Sequence, residues 1–163
     1  FGLLLENKSA AEASVKITAL KAHLNESGIS FGDVMPLLLT DNGGEFSNIN
    51  SFMNNCNGEK ETELFFCEPY RSSEKPRVEK NHTLFRDICP KGTSFDSFTQ
   101  EDVDFIFSHV NSIKRKKLHK KTPYEMFSFA YGGVLARLLG IIPIPAEEVC
   151  QSPSLLKRLP RLR

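Results

Sequence analysis

The stretch that most limits what this chain can fold into is Leu37-Leu38-Leu39-Thr40-Asp41-Asn42-Gly43-Gly44-Glu45-Phe46. An apolar run too short for a helix of its own stops at a carboxylate, followed by an amide and two glycines. That pattern predicts a buried strand delivering Asp41 into a tight turn. Open α/β sheets hold their ligands at the carboxyl ends of central strands, and glycines there admit backbone, metal and phosphate at close range. One aspartate cannot hold a metal, so the rest of the chain must supply partners.

The flanking segments predict an α/β fold. Phe1-Gly2-Leu3-Leu4-Leu5 reads as a strand entered midway, so residues upstream of Phe1 are expected. Ser9-Ala10-Ala11-Glu12 is a capping box, and Ala13, Ile17, Leu20 and Leu24 recur at helical spacing, predicting a helix over 10–27 that ends near Gly28. Strand, helix and the strand at Leu37–Thr40 make a βαβ unit with parallel pairing. A short helix is expected within 47–61, and a third strand over Thr62–Cys67. A helix beginning near Pro76 must stop before Pro90. On it Glu79, His82 and Arg86 share one face, and Val78, Phe85 and Ile88 are expected to face the sheet. Thr99 and Thr122 open two further helices, the second with Pro123 at its first position and Glu125 at its third. Between them lies the basic tract Lys114–Lys121. A short apolar helix and a basic tail with Arg158, Arg161 and Arg163 end the sequence.

The net charge of +1 hides a division. Residues 1–70 carry 4 Lys/Arg against 10 Asp/Glu, a balance of −6, while residues 71–163 carry 17 against 10, a balance of +7. An acidic half holding the carboxylate turn, joined to a basic half, suits a metal-dependent enzyme acting on a polyanion; chance distribution over solvated faces is the alternative. Cys56, Cys67, Cys89 and Cys150 contain no Cys-x-x-Cys pair and read as free thiols of a reducing cytosol. No apolar run reaches the ~18 residues needed to span a membrane, and no signal peptide is visible.

Glu79, 38 positions after Asp41, is the candidate partner for it. Converging carboxylates would hold Mg²⁺ or Mn²⁺ through oxygen, and two such ions bridging a phosphate would activate water or a 3′-hydroxyl. A solvated helix glutamate is the competing reading. His82 could assist at metal or phosphate, or be a surface residue. Asn42 could stabilise the turn or touch substrate, and Glu45 is expected to cap the following short helix. Lysines of the basic tract either decorate a solvated helix end or contact DNA phosphates without reading sequence.

Thr40-Asp41-Asn42-Gly43-Gly44-Glu45-Phe46 resembles the central motif of the DDE transposase and retroviral integrase catalytic core. Pro69-Tyr70-Arg71-Ser72-Ser73, Val78-Glu79-Lys80-Asn81-His82, Pro90-Lys91-Gly92-Thr93-Ser94-Phe95 and Lys121-Thr122-Pro123-Tyr124-Glu125-Met126-Phe127 are similar, in order, to later landmarks of the IS30 family of insertion-sequence transposases. The resemblance covers residues 1 to about 131. It implies an RNase H-like fold, a mixed sheet flanked by helices and incomplete at its N-terminus, with residues 132–163 as a C-terminal helical extension and basic tail. It also implies that Asp41 and Glu79 are the second and third acids of an Asp-Asp-Glu triad binding Mg²⁺ or Mn²⁺. The first aspartate would lie upstream of this chain, so the 163 residues alone are expected to be inactive. DNA contacts are implied for Asn42, Lys80, His82, Arg86, Lys114, Arg115, Lys116, Lys117, Lys120 and Lys121. The partners would be transposon ends and target DNA, with a homo-oligomer in the full-length protein, in a bacterial cytosol beside the nucleoid. A non-catalytic DNA-binding or assembly relic with the same fold is the alternative. Ser73-Glu74-Lys75-Pro76 departs from the aromatic and glycine that usually precede the glutamate helix in that family.

Overall fold

Ser9 opens a helix as the capping pattern requires. In the computed structural model α1 spans Ala10–Glu26, and the Ser9 hydroxyl accepts the Glu12 N–H at 3.2 Å. The Glu12 carboxylate reaches past Ser9 to accept the Glu6 N–H at 3.3 Å. Ala13, Ile17, Leu20 and Leu24 are buried, and the helix ends where Gly28 takes a positive φ of 73°. The structure describes residues 1–67 and 76–162, the side chains of 76–81 excepted. The chain is mixed α/β and forms two compact units, Leu5–Glu74 and Phe1–Leu4 together with Lys75–Arg163.

In the first unit, a short helix α2 (Phe31–Val34) that nothing in the sequence announces leads into β1 (Leu37–Thr40). A second short helix, α3 (Ile49–Met53), lies in the crossover to β2 (Glu63–Phe66). The two strands pair in parallel, Leu37 opposite Glu63 and Thr40 opposite Phe66. The unit is tied together by Lys21, which is 4% exposed. Its ammonium lies 3.0 Å from the Glu61 carboxylate, donates to the Phe52 and Asn54 carbonyls at 2.9 and 2.7 Å, and stands 5.0 Å from the centre of the Phe31 ring. One cation thus joins α1, α2, the end of α3 and the approach to β2.

Phe1–Leu5 is not a strand, and the expected βαβ unit through it does not form. The partner of β1 is β2. The opening residues find their hydrogen bonds on a side chain instead: the Gln100 amide donates to the Gly2 carbonyl at 2.8 Å and its oxygen accepts the Leu4 N–H at 2.9 Å. The side-chain amide supplies both a donor and an acceptor, as a neighbouring strand would have, and its second N–H donates to the Asp104 carboxylate at 2.8 Å. Gly2 admits this packing because a Cβ there would overlap Phe107.

The second unit is built on α4 (Pro76–Ile88) and α5 (Gln100–Asn111). Leu84, Ile88 and Cys89 meet Ile106 and Val110 of α5, with Leu155 and Leu159 closing the cluster. Phe85 and Ile88 therefore serve this core. Helices α6 (Pro123–Tyr131) and α7 (Gly133–Leu138) follow, then 3-10 turns at Pro153–Arg158 and Pro160–Leu162. At the start of α5, Thr99 and Asp102 cap reciprocally. Asp102 is fully buried, accepts the Arg161 N–H at 3.2 Å and lies 3.4 Å from the Arg161 guanidinium, which covers the Phe98 ring at 4.7 Å. Arg161 is thus a structural residue and not part of a free basic tail. All four cysteines are free, and no helix among the described residues is long and apolar enough to cross a membrane.

His109 of α5 is 1% exposed, and its Nδ1 accepts the Cys150 N–H at 3.1 Å. Burial, with a smaller push from Arg158, lowers its pKa from 6.5 to about 4. The unfolded chain takes up a proton near pH 6.5 that the folded chain refuses until about pH 4, so stability is complete above 6.5 and is lost as pH falls through that window. At 1.36 kcal/mol per pH unit the loss is about 3 kcal/mol. Urea melts at pH 7 and 4.5 should show it. His109→Gln should shrink the difference by most of that amount, and an unchanged difference would refute the assignment.

Candidate functional site

Asp41 is the first residue beyond β1, where the strand-to-turn pattern puts the strand's end, but the strand is not the buried one expected, since Leu37 and Leu39 are exposed. The strand end beneath it is fixed, since the Cys67 N–H donates to the Thr40 carbonyl at 2.8 Å and Thr40 is buried. The Asp41 side chain is exposed and makes no hydrogen bond or ion pair with any described residue. Asn42 beside it is also exposed. A carboxylate on a fixed strand end, without a partner among the described residues, is a hard oxygen donor that suits a divalent cation.

The two glycines after it differ from each other. Neither Gly43 nor Gly44 has a positive φ; Gly43 sits at −65°. A Cβ on Gly43 would lie 2.6–2.8 Å from the Glu45 carboxylate, whereas one on Gly44 would meet nothing. Gly43 therefore makes room for Glu45, which lies in the 3-10 turn Gly44–Phe46 and folds back over it. One Glu45 oxygen stands 3.6 Å from the Lys8 ammonium; the other is buried without a hydrogen-bond partner among the described residues. This tie to the segment before α1 has no local sequence signal.

Glu79 and Lys80 lie on α4, but their side chains fall outside the described ones, and the Pro69–Ser73 landmark lies outside the described residues altogether. His82 and Arg86, one turn apart on the same helix, are exposed. Asp41 belongs to the first compact unit and α4 to the second. Among the described residues no three His, Cys, Asp or Glu side chains converge as a metal cluster. The residues available fit a divalent cation in kind, through the oxygen of Asp41, with any further carboxylate to come from outside the described side chains.

The basic tract is a closed loop and not the end of α5, which stops at Asn111. A 3-10 turn at Lys116–Leu118 is followed by His119 and Lys120, both left-handed at φ 51° and 64°. The loop is pinned by the Arg115 N–H donating to the Lys121 carbonyl and the Lys120 N–H donating back to the Arg115 carbonyl, each at 3.0 Å. Two successive left-handed residues with side chains cost about 1–2 kcal/mol each, and these backbone bonds hold them there. Lys114, Lys116, Lys117, Lys120 and Lys121 are exposed. Arg115 is half-buried and donates to the Val110 carbonyl at 3.2 Å, which anchors the loop to α5.

Compared with curated proteins, the chain is 32% identical over 90 residues to the transposase for insertion sequence element IS4351 of Bacteroides fragilis, covering 55% of this chain and 26% of that protein. It is 29% identical over 133 residues to the transposase for insertion sequence element IS1086 of Cupriavidus metallidurans, covering 78% and 38%. Against transposase InsI for insertion sequence element IS30A of Escherichia coli it is 32% identical over 63 residues, covering 39% and 16%. The chain thus spans well under half the length of these relatives. No family model and no solved structure matches it. Its sequence is related to insertion-sequence transposases, the IS30 type among them.

Proposed function

We propose, from this relationship to insertion-sequence transposases, that the chain is a segment of a DDE-type DNA strand transferase with an RNase H-like catalytic core. Residues 1–131 would form the core segment and 132–163 its C-terminal extension. The observation that carries the reading is the placement of Asp41: an exposed carboxylate without a partner among the described residues, immediately after a parallel strand whose end is fixed by its neighbour. Parallel pairing of β1 and β2 with a helix following in sequence is compatible with the RNase H-like arrangement.

In this mechanism Asp41 and Glu79 would hold Mg²⁺ or Mn²⁺ through carboxylate oxygens. When bound, such ions would supply activation of a water or hydroxyl and offset charge on the leaving oxygen. Water adds to the phosphorus at the element's end and the bond to the neighbouring nucleotide breaks, leaving a 3′-hydroxyl. That hydroxyl's oxygen then attacks a phosphorus of the target strand, and the target's own 3′-oxygen leaves that phosphorus as a free hydroxyl. Lys80, His82, Arg86, Asn42 and the lysines of the 114–121 loop position the phosphates, and two ends acting together call for a multimer of the full-length protein. Asp41 and Glu79 fill two places of a three-carboxylate set, so the 163 residues alone should bind DNA without cutting it.

Protein extended to the length of its relatives should cleave DNA carrying its element's ends with Mg²⁺ or Mn²⁺, lose cleavage on chelation, and release product free of protein. Cleavage that survives EDTA, or a product covalently joined to protein, would sink the reading, because the first needs no bound metal and the second requires a protein nucleophile.

A further inference from the structure

The Lys121-Thr122-Pro123-Tyr124-Glu125 landmark has no part in the carboxylate chemistry, yet it borders an open groove of about 640 Å³ within the second compact unit. Ile113, Ile144 and Val149 line it with apolar surface, and Lys114, Tyr124 and Gln151 line it with polar atoms. The groove is open and mostly apolar with a few polar groups along it, so a ligand lying in it would be covered on one side only. Its lining carries both signs of charge, Lys114 and Glu125. The Glu125 carboxylate accepts the Thr122 N–H at 2.7 Å. That hydrogen bond first, and the charges of Lys121 and Lys114 after it, hold the Glu125 carboxyl below the usual range. The acid caps its helix and keeps its negative charge at the groove. Against that one carboxylate stand Lys114 in the lining and Lys116, Lys117, Lys120 and Lys121, exposed on the pinned loop that leads into the groove's own Thr122, so cations outnumber it.

An apolar slot with a tyrosine beside repeated cations matches one ligand chemistry in particular. A paired base has its faces covered by its neighbours in the stack, whereas an unpaired base offers a π-face to Tyr124 and its flanking phosphates offer charge to the lysines. We infer that this groove takes an unpaired base of a DNA strand, with the adjoining phosphates on Lys114 and the lysines of the loop. The inference rests on the nucleic-acid reading above and adds a strand-selecting site to it. An acidic peptide would satisfy the lysines but gains no comparable stacking from Tyr124.

The test uses the 163-residue chain with a thymidine oligonucleotide carrying one 2-aminopurine, the blunt duplex of the same length, and a polyglutamate peptide of matching charge. The single strand should bind more tightly than the duplex, with quenched 2-aminopurine emission. Tyr124→Ala should weaken single-strand binding about tenfold and leave duplex binding unchanged, while Tyr124→Phe keeps both. Ala146→Trp, which fills the groove from its lining without touching a charge, should reproduce the Tyr124→Ala result and guards against a folding artefact. Replacing Lys116, Lys117 and Lys120 with alanine should weaken both DNAs and lower the salt dependence. If duplex binds and both groove variants leave the single strand unaffected, the groove inference fails and the nucleic-acid reading stands. If neither DNA binds at low salt, the nucleic-acid reading fails with it. A peptide that binds in a Tyr124-dependent way while the single strand does not would overturn the inference in favour of a protein partner.

Discussion

Asp41→Asn should reduce metal-dependent strand cleavage by the full-length protein about a thousandfold while leaving its stability unchanged. The size follows from the several kcal/mol that bound metal contributes to a phosphoryl-transfer transition state, each 1.36 kcal/mol being tenfold in rate. Asparagine keeps the shape and one oxygen but loses the negative charge that a hard cation requires. Stability is spared because the Asp41 carboxylate is exposed and bonds to no described residue. Glu45→Gln, four residues on, should behave in the opposite way. Its carboxylate is 17% exposed and pairs with Lys8, whose side chain is 77% exposed, so its loss should cost at most about 1 kcal/mol and leave cleavage within about threefold. Single-turnover cleavage beside urea melts of the same three proteins separates the two carboxylates. Equal kinetic losses at both positions would mean that the turn as a whole matters and that Asp41 has no separate role.

Lys21→Met should destabilise the Leu5–Glu74 unit by about 3–5 kcal/mol, the usual result of removing one partner of a buried ion pair. Methionine fills most of the volume, so the loss is polar. It leaves the Glu61 carboxylate, itself donated to by Ser30 at 3.3 Å, without its cation, and leaves the Phe52 and Asn54 carbonyls without a donor. Glu61→Gln should cost less, since the amide can remain beside an ammonium that still has two carbonyls. Lys21→Met with Glu61→Leu should recover part of the loss, because the stranded charge is gone and the two carbonyls remain unpaired. Denaturant titration followed through native-state hydrogen exchange in α1 would read the effect. A shift below about 1 kcal/mol for Lys21→Met would show that the cation is solvated in solution and the junction is not built on it.

What the sequence revealed was local. The Ser9, Thr99 and Thr122 caps, the stripe along α1 and the strand stop at Asp41 each follow from residues within one turn of each other, and each element forms within a residue or two of its expected place. Phe1–Leu5 was misread because an apolar pentapeptide has the same pattern whether a strand or a side chain satisfies its backbone, and the side chain that does so, Gln100, is 96 residues away from Leu4. Lys21 reads as a surface lysine until Glu61 is seen beside it. The basic tract looks like a helix end because nothing in His119-Lys120 announces left-handed backbone; the loop's own hydrogen bonds impose it. Asp41 was legible because a strand end and a turn are written in adjacent residues. Its pairing with Glu79 is a tertiary matter and stands on resemblance.

The core formed by α4 and α5 is closed from far along the chain. Leu155 and Leu159 are fully buried in it, and Arg161 meets the Asp102 carboxylate that caps α5. During synthesis the Leu5–Glu74 stretch, contiguous in sequence, can reach its native contacts as soon as it clears the ribosome. The second unit cannot. Until Leu155, Leu159 and Arg161 have been made, Ile88 and Ile106 lack their covering and Asp102 lacks its cation. The acidic half of the molecule therefore matures first, and the basic half, with its lysine loop and groove, stays incomplete until translation has passed Arg161.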